Sequence, residues 1–234
     1  MTTRALVSIS HGQYDELLDL AAPSFANYAK LHGYELLLRW DLPKPEGRAE
    51  PWNKIATLIN LLPDYDQILL LDCDVVIMRP EVPFPWSEFG AANHALVVHE
   101  VLHDGVVPNT GVWGVTRETL PLLEQVWDYP VEHEGAFVTE PWWDQSAYMA
   151  VVGYDPRVRP CTPATESQIR EAGLHRLPQE WNVLKDDAAR IPNAIIRHAS
   201  GVANNFAQKR ALMRAWTGKE YNTSDLDGAW RLLN

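Results

Sequence analysis

The sequence predicts an α/β fold: a parallel sheet with helices on both faces. Three observations predict it. Strand-like and helix-like stretches alternate in a βαβαβ order from the N-terminal end. The strand-like stretches are near-continuous apolar runs, as expected of strands buried on both sides. One of them, Gln67–Leu71, ends abruptly in two acids, Asp72 and Asp74, and in such sheets ligands bind outside the carboxyl ends of the strands.

The elements follow in order. Ala5 to Ser10 reads as a buried strand. Tyr14 to Leu31 carries Leu17, Leu18, Leu20, Ala21, Phe25 and Tyr28 at helical spacing, with a kink expected at Pro23. Tyr34 to Trp40 is a second strand. Trp52 to Leu62 is helical, stopped by Pro63-Asp64, and Gln67 to Leu71 is the third strand. Pro80, Pro83 and Pro85 make a loop. Ala95 to Val98 and Gly111 to Val115 read as strands, and Thr116 is placed to cap a helix over Arg117 to Trp127. A helix over Trp142 to Val152, a strand over Ala194 to Arg197 ending at His198, and a basic helix over Asn205 to Trp216 complete the series.

Composition narrows the function. The chain has 234 residues, enough for one sizeable core, and 46% hydrophobic residues, which marks it as globular. A formal net charge of −11 offers no basic field to draw in nucleic acid. The two cysteines, Cys73 and Cys161, form no CxxC pair, so neither a disulfide framework nor a zinc knuckle is expected. The first residues lead into a strand rather than a signal peptide, and no apolar stretch approaches the ~20 residues that cross a bilayer. A cytoplasmic location is the expectation.

Burying an unpaired carboxylate costs several kcal/mol or more, so two acids at the end of a greasy run imply a positive partner. In a strand, residues two apart point to the same face, so Asp72 and Asp74 are expected to converge on one cation. Hard oxygen ligands suit magnesium or manganese, ions that often bridge to phosphates. The strand rule places Ser8, Ser10, His11 and Gly12, at the end of the first strand, beside the same crevice as the acids.

These residues resemble a known family. Trp52-Asn53-Lys54, then Leu61 through Leu71 and Asp72-Cys73-Asp74, look like the core of GT-A glycosyltransferases, whose DxD motif follows an apolar strand. The resemblance is nearest to two retaining groups: glycogenin with the lipopolysaccharide galactosyltransferases, and the xyloglucan xylosyltransferases with the mannan galactosyltransferases. Three further signatures match in order: Asn109-Thr110-Gly111, the Asp144-Gln145 pair, and His198-Ala199-Ser200-Gly201. Leu177-Pro178 with Trp181-Asn182 is a weaker match. Two features depart from the family. Relatives often carry Lys-Pro-Trp soon after the histidine motif, whereas here Lys209 comes eight residues past Gly201, followed by Arg210. Lys54 stands where many relatives have arginine.

The resemblance implies a Rossmann-like GT-A fold with a mixed, mostly parallel sheet. It also implies transfer of a hexosyl or pentosyl group from a nucleotide-diphosphate sugar, of the UDP class, with retention of configuration. Manganese or magnesium would be held by Asp72, Asp74 and His198. Ser8, Ser10, His11, Tyr14, Lys54, Asp72, Cys73, Asn109, Gly201 and Lys209 would contact the donor. Asp144 and Gln145 would be catalytic, with Asp144 facing the charge that develops at the sugar or orienting the sugar's hydroxyls. Trp113, Trp142 and Trp143 are candidates for stacking on a sugar ring. The acceptor, whether saccharide, protein or small molecule, is not specified. The expected division is a single domain with a nucleotide-binding part over about 1–80, a sugar and acceptor part over about 81–202 and a C-terminal helical segment over about 203–234.

One motif competes. His99-Glu100-Val101-Leu102-His103 spells HExxH, the zinc-hydrolase signature, which works only on a helix that puts both histidines on one face. Here Val97-Val98 before it reads as strand, and Asp104-Gly105 breaks the chain after it. A nucleotide-sugar binder without transferase activity is the other alternative.

Overall fold

The computed structural model describes residues 2–40, 45–138, 142–200 and 206–218, together with the backbone of 231–232. The strands are β1 (Arg4–Ile9), β2 (Glu35–Arg39), β3 (Gln67–Leu71), β4 (Val75–Ile77), β5 (His94–Val101), β6 (Gly105–Thr116), β7 (Leu174–Leu177), β8 (Val183–Leu184), β9 (Ile196–His198) and β10 (Arg231–Leu232). The helices are α1 (Asp15–His32), α2 (Asn53–Leu61), α3 (Leu120–Glu132), α4 (Trp143–Val152), α5 (Glu166–Glu171) and α6 (Phe206–Thr217). The chain groups into two compact units, each built from separated segments. One, the β1 unit, holds residues 3–42, 69–84 and 178 onward; the other, the β6 unit, is built chiefly from 43–68 and 85–177. β3 belongs to both, because the boundary falls between Ile68 and Leu69.

In the β1 unit the strand order is β10-β2-β1-β3. β1 and β2 run parallel with Ala5 opposite Glu35 and Ile9 opposite Arg39, and β10 joins β2, also in parallel. The crossover between β1 and β2 is α1, whose Leu17, Leu18, Ala21, Phe25, Tyr28 and Ala29 are buried. Acids at its start and Lys30 and His32 at its end complement the helix dipole, and Gly33 ends it in the left-handed region at φ 70°. Pro23 lies inside this helix, which continues for nine more residues to His32. α1 also secures the segment after the acids: Tyr28 donates to the Val82 carbonyl at 3.1 Å, and the Ile77 amide donates to Ser24 Oγ at 3.3 Å.

A second, three-stranded sheet in this unit has the order β4-β9-β8. β4 pairs antiparallel with β9, Val75 lying opposite His198, and β8 pairs parallel with β9. By sequence, Gln67 to Ile77 reads as one greasy run. In the structure β3 stops at Leu71, Cys73 and Asp74 form a turn, and Val75 starts a strand of a different sheet. Asp72 and Asp74 are therefore brought together by a turn and not by strand alternation, which corrects the expectation above.

In the β6 unit the order is β3-β6-β5-β7. β5 pairs antiparallel with β6 and parallel with β7; with β1-β2 and β10-β2 also parallel, the strand pairing is mixed and mostly parallel. Both central strands are longer than the sequence suggested, because Pro108 and Asn109-Thr110-Gly111 look like breakers. The ladder absorbs them: Leu96 faces Trp113 but Val97 faces Asn109, so residues 110–112 bulge out of register. Thr116 caps a short 3₁₀ turn with Thr119 in a reciprocal capping box, and α3 follows.

Candidate active site

Two polar clusters stand out, one in each unit. In the β1 unit, Asp72, Asp74 and His198 each offer a ligand atom, all within 4.8 Å of one another. The turn supplies the acids and the β4–β9 ladder supplies the histidine, with the Ala199 amide donating to the Asp74 carbonyl at 2.9 Å. His198 Nε2 lies 3.1 Å from Asp74 Oδ1 and 3.8 Å from Asp72 Oδ2. Its other ring nitrogen, Nδ1, meets Asn182 Oδ1 at 3.0 Å, and Asn182 is fully buried. An Nδ1–H that donates to that amide oxygen leaves the Nε2 lone pair facing two carboxylates. Such an array is compensated by a shared proton or a shared cation. Two carboxylates and one imidazole fit manganese or magnesium, and these three residues could hold such an ion.

Lys209, from α6, forms an ion pair with Asp74 Oδ2, and both are buried. Burial by itself raises the Asp74 pKa, but the opposing charges of His198 and Lys209 outweigh it and hold the carboxyl well below its usual range. Lys209 is displaced upward: burial lowers it, and the Asp74 charge more than reverses that. Tyr14 packs edge-on against Phe206 at 5.8 Å and beside His11 at 5.2 Å, and burial raises its phenol pKa. Ser10 donates to Asp15 at 2.6 Å, while Ser8 is buried on β1 with its hydroxyl unpartnered among the described residues. Cys73 is half-buried and forms no disulfide. Gly201 lies outside the described residues.

In the β6 unit, Lys54 from α2, Thr110 from the β6 bulge and Asp144 and Gln145 from α4 converge. Lys54 Nζ donates to Thr110 Oγ1 at 3.1 Å and lies 3.3 Å from Asp144 Oδ2. Thr110 Oγ1 donates to the same Asp144 oxygen at 3.5 Å, and its amide donates to Gln145 Oε1 at 3.3 Å. Asn109 accepts from the Gly111 amide at 2.9 Å, shaping the bulge. α4 is entered through Trp142 and Trp143, both at positive φ (71° and 33°), an unfavourable backbone for tryptophan directly before the two polar residues.

Thr110 and Asn182 are the residues that sequence reasoning quoted but assigned no role. Each is a neutral side chain that holds the charged ones. Two expectations change. Trp113 is fully buried, packed between His94 and Tyr148, so it does not present a face to a sugar. The HExxH motif lies on β5 and the following turn, with His99 buried and His103 at φ 71°, so no helical face unites the histidines. The three-ligand metal group among the described residues is Asp72, Asp74 and His198.

No family model and no curated protein matches the sequence. Solved structures do match. A glycosyltransferase involved in glycosylation of the major capsid of PBCV-1 has TM-score 0.60 at 17% identity, over 90% of this chain and 99% of that one. The galactosyltransferase LgtC, in complex with donor and acceptor sugar analogues, has TM-score 0.60 at 12% identity, over 96% and 99%. The glycosyltransferase GlyE of Streptococcus pneumoniae TIGR4 has TM-score 0.61 at 13% identity, over 94% of this chain and 61% of that one. With its mixed, mostly parallel sheet and the acids at the end of β3, this chain has the fold of the GT-A glycosyltransferases.

Proposed function

We propose that this protein is a metal-dependent glycosyltransferase that moves a sugar from a nucleotide-diphosphate donor of the UDP class to an acceptor, with retention. The observation that carries the reading is the convergence of Asp72, Asp74 and His198 in a chain of GT-A fold. Its chemistry needs the leaving diphosphate stabilised. A divalent ion held by these three residues, manganese or magnesium, would supply Lewis acidity and charge neutralisation there. Asp72 also contacts the ribose, and Asn182 fixes the His198 ring so that Nε2 stays directed at the carboxylates.

Ser8, Ser10, His11, Tyr14, Cys73, Gly201 and Lys209 are assigned to the nucleotide and its phosphates. Asn109, Lys54, Asp144 and Gln145 are assigned to the sugar. The Lys54 ammonium and the Thr110 hydroxyl hold Asp144 Oδ2, so its carboxylate is oriented before a sugar arrives. In that role it orients sugar hydroxyls and faces the positive charge that grows at the anomeric carbon. No carboxylate is assigned as a covalent nucleophile, which fits a front-face route in which the departing phosphate guides the acceptor. The nucleotide-binding part is proposed over about 1–80 and the sugar part over about 81–202. The site of action is proposed to be cytoplasmic; no helix among the described residues is long and apolar enough to cross a membrane, and neither Cys73 nor Cys161 forms a disulfide.

Calorimetry tests the reading. Asp74→Ala is expected to abolish manganese-dependent UDP binding, while Glu100→Ala leaves it nearly intact; the reverse pattern would reject it. A thermal-shift screen of nucleotide sugars with and without manganese identifies the donor. Release of free sugar from that donor then separates a transferase from an inert binder.

A further inference from the structure

Both oxygens of Asp74 are engaged by the protein itself. Oδ1 faces His198 at 3.1 Å, and Oδ2 takes the ammonium of Lys209. Lys209 lies 135 residues further along the chain and is only 8% exposed. Burying a lysine costs free energy unless it meets an opposite charge, and Asp74 at 6% exposure has the mirror-image need. The ammonium therefore compensates the carboxylate on which a divalent ion would depend. Its helix is anchored independently: Arg210 and Arg214 reach Glu16 of α1 at 3.2 and 3.1 Å.

We propose that Lys209 alternates between two anionic partners, holding Asp74 when no divalent ion is bound and passing to the donor's diphosphate when an ion takes Asp74. The second half rests on the glycosyltransferase reading; the first stands on the Asp74 contact alone. An ammonium on Asp74 Oδ2 and a divalent ion bound to the same carboxylate repel at that range, so each weakens the other's hold on Asp74. Lys209 thus weakens the binding of a free ion. A diphosphate removes that obstacle by giving Lys209 another anion, so ion and nucleotide bind more tightly together than separately. The departure from the family's Lys-Pro-Trp pattern acquires a meaning: the basic residue sits on a helix pinned to α1, within reach of a ligand carboxylate.

The test uses the full chain and titrates manganese chloride alone by calorimetry, then UDP at saturating manganese. Lys209→Met is expected to bind manganese about tenfold more tightly than wild type without nucleotide, and UDP about tenfold more weakly. Lys209→Arg, which keeps the charge, should retain weak manganese binding. Circular dichroism verifies folding, and Lys209→Gln substitutes for a methionine variant that fails to fold. The wild type supplies a readout of its own: UDP should tighten manganese binding at least fivefold, and the absence of that coupling overturns the exchange. Unchanged or weaker manganese binding by Lys209→Met, with UDP binding intact in wild type, overturns the exchange and spares the glycosyltransferase reading. Failure of wild type and every variant to bind manganese overturns both.

Discussion

Thr110 shows how much of the candidate site rests on residues with no chemistry of their own. Its hydroxyl accepts from Lys54 and donates to Asp144, and its amide donates to Gln145. Hydrogen bonds to charged groups contribute about 1.5–3 kcal/mol. Thr110→Val, which keeps the shape and removes the hydroxyl, should therefore lower kcat/KM for donor hydrolysis by about ten- to hundredfold. Thr110→Ser should stay near wild type. Equal losses in the two variants would show that the methyl group's packing matters and the hydroxyl does not. The convergence of Asp72, Asp74 and His198 was legible in the sequence, from two acids closing an apolar run and from the order of the motifs; the pairing of Lys54 with Asp144 was not, since Lys54 was expected only at the donor. Thr110 and Asn182 were not legible either, since a neutral amide or hydroxyl does not demand a partner as a charge does. Their contacts close only across 34 and 16 residues of chain.

At the scale of elements, the sequence disclosed the α1, α2 and α4 helices and the first three strands, because periodicity and apolar runs report local burial. It misjudged elements whose bounds depend on partners. β4 hid inside the run that begins with β3, because Val75-Val76-Ile77 is equally apolar whichever sheet takes it. β6 was shortened because turn-forming residues occupy its bulge. The hairpin between β5 and β6 depends on Gly105, at φ 81°, where an added Cβ would meet Pro160 Cβ at 2.8 Å and the Cys161 amide at 3.2 Å. Gly105→Ala combines backbone strain with a steric clash and is expected to cost about 2–4 kcal/mol. Urea denaturation measures it, and a loss below about 0.5 kcal/mol would mean that the turn rearranges freely.

For the whole molecule, a buried histidine contributes to the response of stability to mild acid. His94 is fully buried between Asn93 and Tyr148, and burial brings its pKa down from 6.5 to about 3. Between those values the unfolded chain binds a proton here that the folded chain refuses. The His94 contribution is therefore fully present above pH 6.5 and declines as the pH falls towards 3, by up to about 1.4 kcal/mol per pH unit. The slope of unfolding free energy between pH 6.5 and 5 should be shallower in His94→Phe than in wild type. Identical slopes would remove this histidine from the acid response.

The division of the chain also bears on dissecting it. Each unit is assembled from pieces that are not adjacent in sequence, and the border is crossed in the middle of β3, between Ile68 and Leu69. No single truncation of the gene yields either half intact. Expression of residues 85–177 alone would leave that fragment without α2 and its lysine, and expression of 1–84 would leave the paired acids without their histidine. Study of either cluster by itself calls for point substitutions within the intact polypeptide, or for re-ligated and permuted chains that restore the missing pieces.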